Sequence, residues 1–168
     1  MPRLLTSLSF ILALFIATPA SATVERVPFP QSAEAGLIVV KTGERKLYLV
    51  LGDGSALRYP VAVGMRGRQW QGTARIDGKY VEPAWSPPAE VKRAKPSLPD
   101  VIPPGPNNPM GARALTLDRG EYAIHGTSPS MRASIGTAAS FGCIRMLNEH
   151  IVDLYDRVKV GTRVVVVP

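Results

Sequence analysis

One segment of the chain, residues 122–146, carries the side chains best suited to covalent chemistry. It contains Cys143, the single cysteine among 168 residues, and His125, one of two histidines. A thiol and an imidazole held together form a nucleophile and its base, and the imidazole can later return the proton to a leaving amine. The residues between them are rich in glycine, serine and threonine, which favours a tight loop with exposed backbone N–H groups. The segment is a candidate active site if it folds back on itself.

Other interpretations of the same residues remain open. His150 is an alternative base, although its place near the start of a predicted helix favours a solvent-exposed side chain. His125 could also be a histidine that only forms a hydrogen bond at a strand end. A zinc site of His125, Cys143, His150 and a carboxylate is the metal alternative. The short spacings typical of zinc ligands are absent, so we expect no metal and no cofactor.

The neighbours of the thiol offer groups that could act on a reacting carbonyl. Gly142 lacks a Cβ, so a substrate could approach its backbone, and the N–H groups of Gly142 and Cys143 could stabilise an oxyanion. Ser140 could bind substrate or form hydrogen bonds within the loop. Arg145 could bind a substrate carboxylate or form a structural ion pair. The residue types leave both alternatives open for Ser140 and for Arg145.

The N-terminus indicates where such a site would work. Arg3 precedes an apolar run over residues 4–17, and Ala20-Ser21-Ala22 has the small-residue pattern of a cleavage site. The run is shorter than the about 20 residues that a membrane-spanning helix needs, which favours a cleaved signal peptide over an uncleaved anchor. The sequence therefore predicts a signal peptide over residues 1–22, export, and no stable membrane insertion after cleavage.

The amino-acid composition also indicates what an exported chain of this kind could do. With one cysteine the chain cannot form an internal disulfide, and a lone thiol in an oxidising compartment is open to oxidation and mispairing. Cys143 is therefore either buried and inert or needed for its chemistry, and its Gly-Cys loop setting favours chemistry. The formal net charge is +7, with basic residues scattered rather than clustered. This pattern favours attraction to acidic envelope polymers over nucleic-acid binding.

Strand-forming runs alternate with turn signals and predict a mainly β domain over residues 36–168. Gly52-Asp53-Gly54 has hairpin composition, so the first half of the domain is predicted to be an antiparallel meander. His125 directly follows one of the predicted strands and is expected at its end. The predicted strands cover residues 37–40, 46–51, 56–63, 72–76, 114–117, 121–124 and 163–167.

Three other segments complete the predicted organisation. Residues 23–35 are polar and predict a short flexible lead-in. Residues 83–109 contain nine prolines, which exclude long regular elements, but interspersed apolar residues favour an ordered excursion with a helical turn near 89–94 over an interdomain linker. The main helix is predicted to begin at an Asn148 N-cap, and its apolar stripe consists of Ile151, Leu154, Tyr155 and Val158.

The motifs of the candidate site closely resemble those of the L,D-transpeptidase (YkuD-type) catalytic domain. The similarity lies in His-Gly-Thr at 125–127, Ser-Ile-Gly at 134–136 and Ser-Phe-Gly-Cys-Ile-Arg-Met at 140–146, and it extends from about Leu37 to Val167. The segments 59–64, 72–73 and 103–111 also resemble the family. The chain departs from it at Trp70-Gln71-Gly72-Thr73, where the family often has T-P-T-G-T, and at Phe141. Both departures concern substrate contacts.

The resemblance implies a fold and a reaction. The fold would be a β-sandwich of mixed sheets, with one main helix near the C-terminus packed on it. Cys143 would attack a tetrapeptide stem of peptidoglycan at the L-centre of diaminopimelate, and D-Ala would leave with a proton from His125. A diaminopimelate amine of another stem would then resolve the thioester to give a 3→3 cross-link. This enzyme would be a cysteine acyltransferase of cell-wall organisation and cell shape.

The resemblance also implies roles for individual residues. The backbone carbonyl of Gly126 would orient the imidazole, and N–H groups near Gly142 and Cys143 would form the oxyanion hole. Substrate contacts are predicted for Ser140, Arg145, Thr127 and Tyr122.

Alternatives remain for the acceptor and for the class of protein. Water as acceptor would make the protein an L,D-carboxypeptidase, and a lysine of an envelope lipoprotein would make it an anchoring transpeptidase. A catalytically silent wall-binding module is a different class. We expect a carbapenem-sensitive, periplasmic monomer that binds peptidoglycan stem peptides and no nucleic acid.

Overall fold

The computed structural model describes residues 24–168. The predicted signal peptide lies outside the described residues, so export and location stay predictions. Within residues 24–168 the chain forms a nine-stranded sheet, a two-stranded sheet and few helices. The strands are β1 (Glu25–Pro28), β2 (Ile38–Lys41), β3 (Lys46–Val50), β4 (Ser55–Pro60), β5 (Val63–Gly64), β6 (Gly72–Val81), β7 (Arg113–Leu117), β8 (Ala123–His125), β9 (Ala138–Ser140), β10 (Ile144–Arg145) and β11 (Arg163–Val167); the helices are α1 (Ala89–Ala94), α2 (Asn148–Arg157) and a 3₁₀ helix at Pro129–Ser134.

The closing strand β11 joins the two halves of the long sheet. It pairs in parallel with β2 and antiparallel with β6, which gives the strand order β1-β4-β3-β2-β11-β6-β7-β8-β10. The predicted meander of β2, β3 and β4 is antiparallel, as expected. The predictions of a mainly β fold, of mixed sheets and of one main helix are confirmed.

Apolar side chains on both faces of the central strands account for this arrangement. Val40, Leu47 and Val166 belong to the larger core together with Ile151 and Leu154 of α2. Alternate residues such as Val39 and Tyr48 form a smaller core on the opposite face. Because successive side chains of a strand point to opposite faces, strands buried on both sides need the continuous apolar runs seen in the sequence.

Two strand predictions were wrong in their limits. The strand predicted over residues 56–63 ends at Pro60, and Val63 instead pairs with β9 in the small sheet. The strand predicted over 72–76 continues to Val81, with Ala74 and Ile76 among its buried residues. Its second half pairs with β7, a partner about 40 residues away that local composition does not reveal.

The predicted lead-in, residues 23–35, also contains regular structure. Residues 25–28 form β1, which pairs antiparallel with β4 at the edge of the sheet. Val27 and Phe29 pack against the smaller core. The polar composition concealed this strand because only one side of an edge strand needs to be apolar.

The proline-rich segment is an ordered excursion with a short helix, α1, as predicted. The backbones of Trp85 and Ile102 exchange two hydrogen bonds across it. The buried Asn108 side chain closes the segment, since its Nδ2 donates to the carbonyls of Pro83, Ile102 and Pro103 at 2.9–3.0 Å. These bonds hold the excursion against the cleft described below.

The main helix α2 packs on β7 and β8. The Tyr59 hydroxyl donates to Asp153 at 2.6 Å, and Lys79 Nζ donates to the carbonyls of Tyr155 and Val158 at the C-terminal end of the helix. A cation at this end is favourable because the last carbonyls carry partial negative charge. None of the helices in residues 24–168 is long and apolar enough to cross a membrane.

Candidate active site

A cleft of about 860 Å³ lies between the end of β8 and the proline-rich excursion. Five of the predicted catalytic and substrate-binding residues line it: Cys143, His125, Tyr122, Ser140 and Arg145. The cleft has the size of typical small-molecule sites. The segment therefore does fold back on itself, as the candidate site requires.

A short parallel pairing brings the thiol and the imidazole to the same cleft. β8 and β10 lie side by side with His125 opposite Arg145, and Cys143 immediately precedes β10. The Met146 N–H donates to the His125 carbonyl at 2.8 Å and extends this pairing by one bond. The residues between the two strands form the 3₁₀ helix and β9. This short connection brings His125 and Cys143, which are 18 positions apart in the sequence, to the same cleft.

Both reactive groups are held in their neutral forms. Burial raises the pKa of the Cys143 thiol, while the Ala123 backbone and the positive charge of Arg145 act in the opposite direction. Burial, followed by the charge of Arg145, lowers the pKa of His125 to about 4, against the effect of the Gly126 and Pro109 carbonyls. At neutral pH the pair is therefore a thiol and a neutral imidazole.

The orientation of His125 comes from its own backbone neighbour. Its Nδ1 lies 2.8 Å from the Gly126 carbonyl oxygen, which accepts and therefore fixes the proton on Nδ1, leaving Nε2 as the basic nitrogen. This is the contact that the resemblance implied. Thr127, by contrast, lines a separate cavity of about 430 Å³ rather than the cleft, so the structure does not bring its side chain to the thiol.

Ser140 organises the loop before the nucleophile. Its buried hydroxyl donates to the Cys143 carbonyl at 2.6 Å and accepts from the Gly142 N–H at 3.1 Å. The Gly142 N–H is therefore already engaged, and the oxyanion role predicted for it needs correction. The N–H of Cys143 donates no hydrogen bond within the described residues and is the backbone donor left for an oxyanion.

Two aromatic side chains, Trp70 and Tyr122, also hold Gly142 in place. Trp70 Nε1 donates to the Gly142 carbonyl at 3.1 Å, and the Trp70 ring stacks on Tyr122 at 5.6 Å between centroids. A Cβ on Gly142, whose φ is +125°, would lie 2.3 Å from the Tyr122 ring. Tyr122 thus shapes the loop as well as the cleft. In the sequence, Trp70 stands out only as a departure from the family pattern, and its indole N–H donor is the signal that could have indicated this role.

Arg145 is a half-buried cation that forms no salt bridge within the part of the chain described here. Its Nη1 donates to the Ser134 hydroxyl at 2.8 Å, and its Nε is buried and has no hydrogen-bond partner within residues 24–168. Burial lowers its pKa. The structural ion pair considered for Arg145 is absent from these residues, and a guanidinium facing the cleft favours the carboxylate-binding alternative.

His150 was wrongly expected to be solvent-exposed. It is 3% exposed and packs edge-on against Tyr59, with 5.8 Å between ring centroids. It lies on the inward face of α2 beside Ile151 and does not line the cleft, which disfavours it as the base. No group of three or more potential metal ligands of the types His, Cys, Asp and Glu occurs among residues 24–168.

Comparisons with known proteins agree on one family. The model of the YkuD L,D-transpeptidase catalytic domain matches residues 35–166. The probable L,D-transpeptidase YbiS of Escherichia coli is 35% identical over 158 residues, which cover 87% of this chain and 50% of YbiS. The chain spans about half the length of the curated relatives that lead this comparison.

Solved structures share the fold. An L,D-transpeptidase from Mycobacterium smegmatis superposes with a TM-score of 0.63 at 19% identity, over 79% of this chain and 58% of that one. A protein from Brucella melitensis, named a probable carnitine operon oxidoreductase, is 39% identical with a TM-score of 0.58, over 89% of this chain and 96% of that one.

The neutral thiol–imidazole pair predicts a specific pH dependence. Because the pKa of Cys143 is raised, the rate of its alkylation by iodoacetamide should keep rising with pH beyond about 9. Intact mass spectrometry measures the rate without background, since the chain has one cysteine. A plateau reached by pH 7, as for a thiolate–imidazolium pair, would contradict the neutral resting state.

Replacing Trp70 tests whether its hydrogen bond to the Gly142 carbonyl positions the loop before Cys143. Trp70→Phe removes the donor to the Gly142 carbonyl and leaves that buried oxygen without it, a loss of about 1–2 kcal/mol. We expect acylation by p-nitrophenyl acetate to slow by about tenfold. Trp85→Phe is the matched control, because no bond of its indole is recorded in the described residues. Equal acylation rates in the two variants would show that the Trp70 hydrogen bond does not position this loop.

Proposed function

The chain belongs to the L,D-transpeptidase catalytic-domain family, and we propose that it is a peptidoglycan L,D-transpeptidase that works through an acyl-enzyme on Cys143. The observation that carries the proposal is the pairing of β8 with β10, because it brings the thiol to the cleft that also holds an imidazole fixed by the Gly126 carbonyl. The name of the Brucella protein points to another activity, but the family model and the curated relatives agree on L,D-transpeptidase.

Acylation would begin from the neutral pair. As Cys143 Sγ attacks the carbonyl at the L-centre of diaminopimelate, Nε2 of His125 takes the thiol proton. The negative charge that develops on the carbonyl oxygen is stabilised by the Cys143 N–H. Collapse of the tetrahedral intermediate breaks the amide bond, and the imidazolium gives its proton to the amine of the leaving D-Ala. A thioester and a neutral imidazole remain.

Arg145 would select the substrate through charge. A tetrapeptide stem carries carboxylates on diaminopimelate and on D-Ala, and Arg145 is a half-buried cation that lines the cleft. A carboxylate bound there would satisfy a guanidinium that has no acidic partner in residues 24–168. The same charge favours the thiolate and disfavours the imidazolium, so it lowers the cost of ionising the thiol and promotes the later transfer of the proton from His125 to D-Ala.

The second half of the reaction would use an amine. The amine on the D-centre of another stem's diaminopimelate attacks the thioester and gives a proton to His125. The carbon–sulfur bond breaks, a 3→3 cross-link forms, and the imidazolium returns the proton to the Cys143 thiolate. A cleft of about 860 Å³ that continues beneath the excursion, past Trp85 and Val91, has room for a second peptide. Water or a lipoprotein lysine is the alternative acceptor. A periplasmic location and a monomeric state remain predictions.

The acyl-enzyme is tested with a carbapenem and with muropeptides. A solved L,D-transpeptidase of this fold is described in complex with imipenem, so imipenem is a suitable probe. We expect one covalent adduct by intact mass, absent in Cys143→Ala and unaffected by EDTA. Incubation with disaccharide-tetrapeptide should release D-Ala and give a 3→3 dimer.

Each assay has an outcome that contradicts a different part of the proposal. An adduct that persists in Cys143→Ala, or none in the wild type, would refute the nucleophile. Release of D-Ala without a dimer would identify a carboxypeptidase. Neither release nor adduct would favour a binding module.

Arg145→Met tests carboxylate recognition. Loss of a charge-assisted hydrogen bond costs about 1.5–3 kcal/mol, so kcat/KM for the tetrapeptide should fall by about tenfold or more. Arg132→Met is the matched control, because Arg132 is exposed and pairs with Glu149 on the surface. If alkylation by iodoacetamide slows as strongly as kcat/KM falls in Arg145→Met, the arginine serves the thiol rather than the substrate carboxylate.

A further inference from the structure

We propose that Asn148 is a positioning residue for the catalytic imidazole, acting through the peptide unit that joins Gly126 to Thr127. The proposal rests on the proposed function, since it assigns His125 the role of the base. The sequence predicted Asn148 as the N-cap of the main helix. In the structure the N-cap is Leu147 and makes no side-chain cap, and the Asn148 side chain points to another task.

The Asn148 amide oxygen accepts two backbone hydrogen bonds from segments outside its helix. Thr127 N–H donates to Oδ1 at 3.1 Å and Ala112 N–H donates to the same oxygen at 3.0 Å. One side chain at the start of α2 therefore ties the end of β8 to the start of β7. These two segments border the cleft and the proline-rich excursion.

The geometry of the peptide bond transmits this contact to His125. The N–H of Thr127 and the carbonyl of Gly126 belong to one planar peptide unit. The N–H is bound to Asn148 and the carbonyl oxygen lies 2.8 Å from His125 Nδ1. Fixing one end of a rigid unit fixes the direction of the other, so the oxygen that orients the imidazole is itself held by Asn148.

Two glycines show how closely the backbone approaches this amide. A Cβ on Gly126 would lie 2.3 Å from Asn148 Oδ1. A Cβ on Gly111, where φ is +65°, would lie 2.2 Å from the same oxygen and 2.3 Å from the Thr127 nitrogen. There is no space for a side chain at either position, and little for the peptide to turn. The glycine of the His-Gly-Thr motif is thus required by the close packing of Asn148 against its backbone.

The expected consequence is a fixed tautomer. While the Gly126 carbonyl faces Nδ1, the proton stays on Nδ1 and Nε2 can act as base. If the peptide is released, the carbonyl can turn away and the imidazole can place its proton on Nε2. That tautomer cannot accept a proton from the thiol. The loss would appear in kcat rather than in KM, because the substrate-binding groups are unchanged.

The experiment measures tautomer, rate and stability in the same variants. Nitrogen-15 NMR of the imidazoles at pH 8 reports the tautomer, with His125→Gln assigning the signals of the two histidines. We expect the Nδ1–H form in the wild type, a mixture in Asn148→Ala, and a fall in the acylation rate with imipenem of about tenfold or more. Asn148→Asp keeps an acceptor for both N–H groups and should retain the Nδ1–H form.

Controls separate positioning from stability. Thr42→Val removes another buried hydrogen bond, Thr42 Oγ1 to the Val167 carbonyl at 3.1 Å, far along the chain from the site. It should lower the free energy of unfolding without changing tautomer or rate. If the Asn148→Ala variant does not fold, Asn148→Ser takes its place, because the serine side chain is too short to accept from both the Thr127 and the Ala112 N–H groups.

Two results would overturn the proposal: a wild-type tautomer and rate in a folded Asn148→Ala or Asn148→Ser variant, or losses in Thr42→Val equal to theirs. Failure of the proposed function is distinguishable, because the tautomer is observed without substrate. A wild type that forms no imipenem adduct, while Asn148→Ala still loses the Nδ1–H form, would refute the acyl-enzyme and leave the positioning intact.

Discussion

The parallel pairing of β8 with β10 is the constraint on which the site depends. It joins only two residues of each strand, yet it brings Cys143 and His125 to one cleft. So short a pairing needs support from both sides. Arg145 exchanges two backbone hydrogen bonds with Ala62, at 2.8 and 2.9 Å, and Ile124 and Ile144 are buried in the main core. The site is therefore precise because the sheet and the core, rather than the loop alone, hold its strands.

Backbone groups do much of the orienting that a third side chain does in other nucleophilic sites. The imidazole is held by the Gly126 carbonyl, and the nucleophile loop is held through the Gly142 carbonyl and N–H. Side chains from distant segments, Trp70 and Asn148, fix these backbone groups in turn. Because a buried peptide group carries no net charge, this arrangement orients His125 without stabilising the imidazolium as a carboxylate would.

Burial and one cation set the electrostatic balance of the cleft. Desolvation opposes charge on both Cys143 and His125, which raises the pKa of the thiol and lowers that of the imidazole; the charge of Arg145 partly offsets the first shift and adds to the second. In the proposed mechanism, proton transfer between the two is costly at rest and becomes favourable when a substrate carbonyl takes up the charge. Arg145 is half-buried and forms no salt bridge in the described residues, and a substrate carboxylate bound beside it would offset the cost of its partial desolvation.

Sequence by itself determined the strand-rich pattern, the helix stripe of Ile151 and Leu154, and the choice of Cys143 and His125, because periodicity and residue chemistry are local properties. Only the tertiary structure decided which polar groups already have partners. The Gly142 N–H donates to Ser140, and the Asn148 amide oxygen accepts from two backbone segments. The tertiary structure also decided that His150 is buried on the inward face of α2 and that residues 25–28 form an edge strand. Such contacts join residues tens of positions apart, and no local pattern specifies which donor meets which acceptor once the chain has closed.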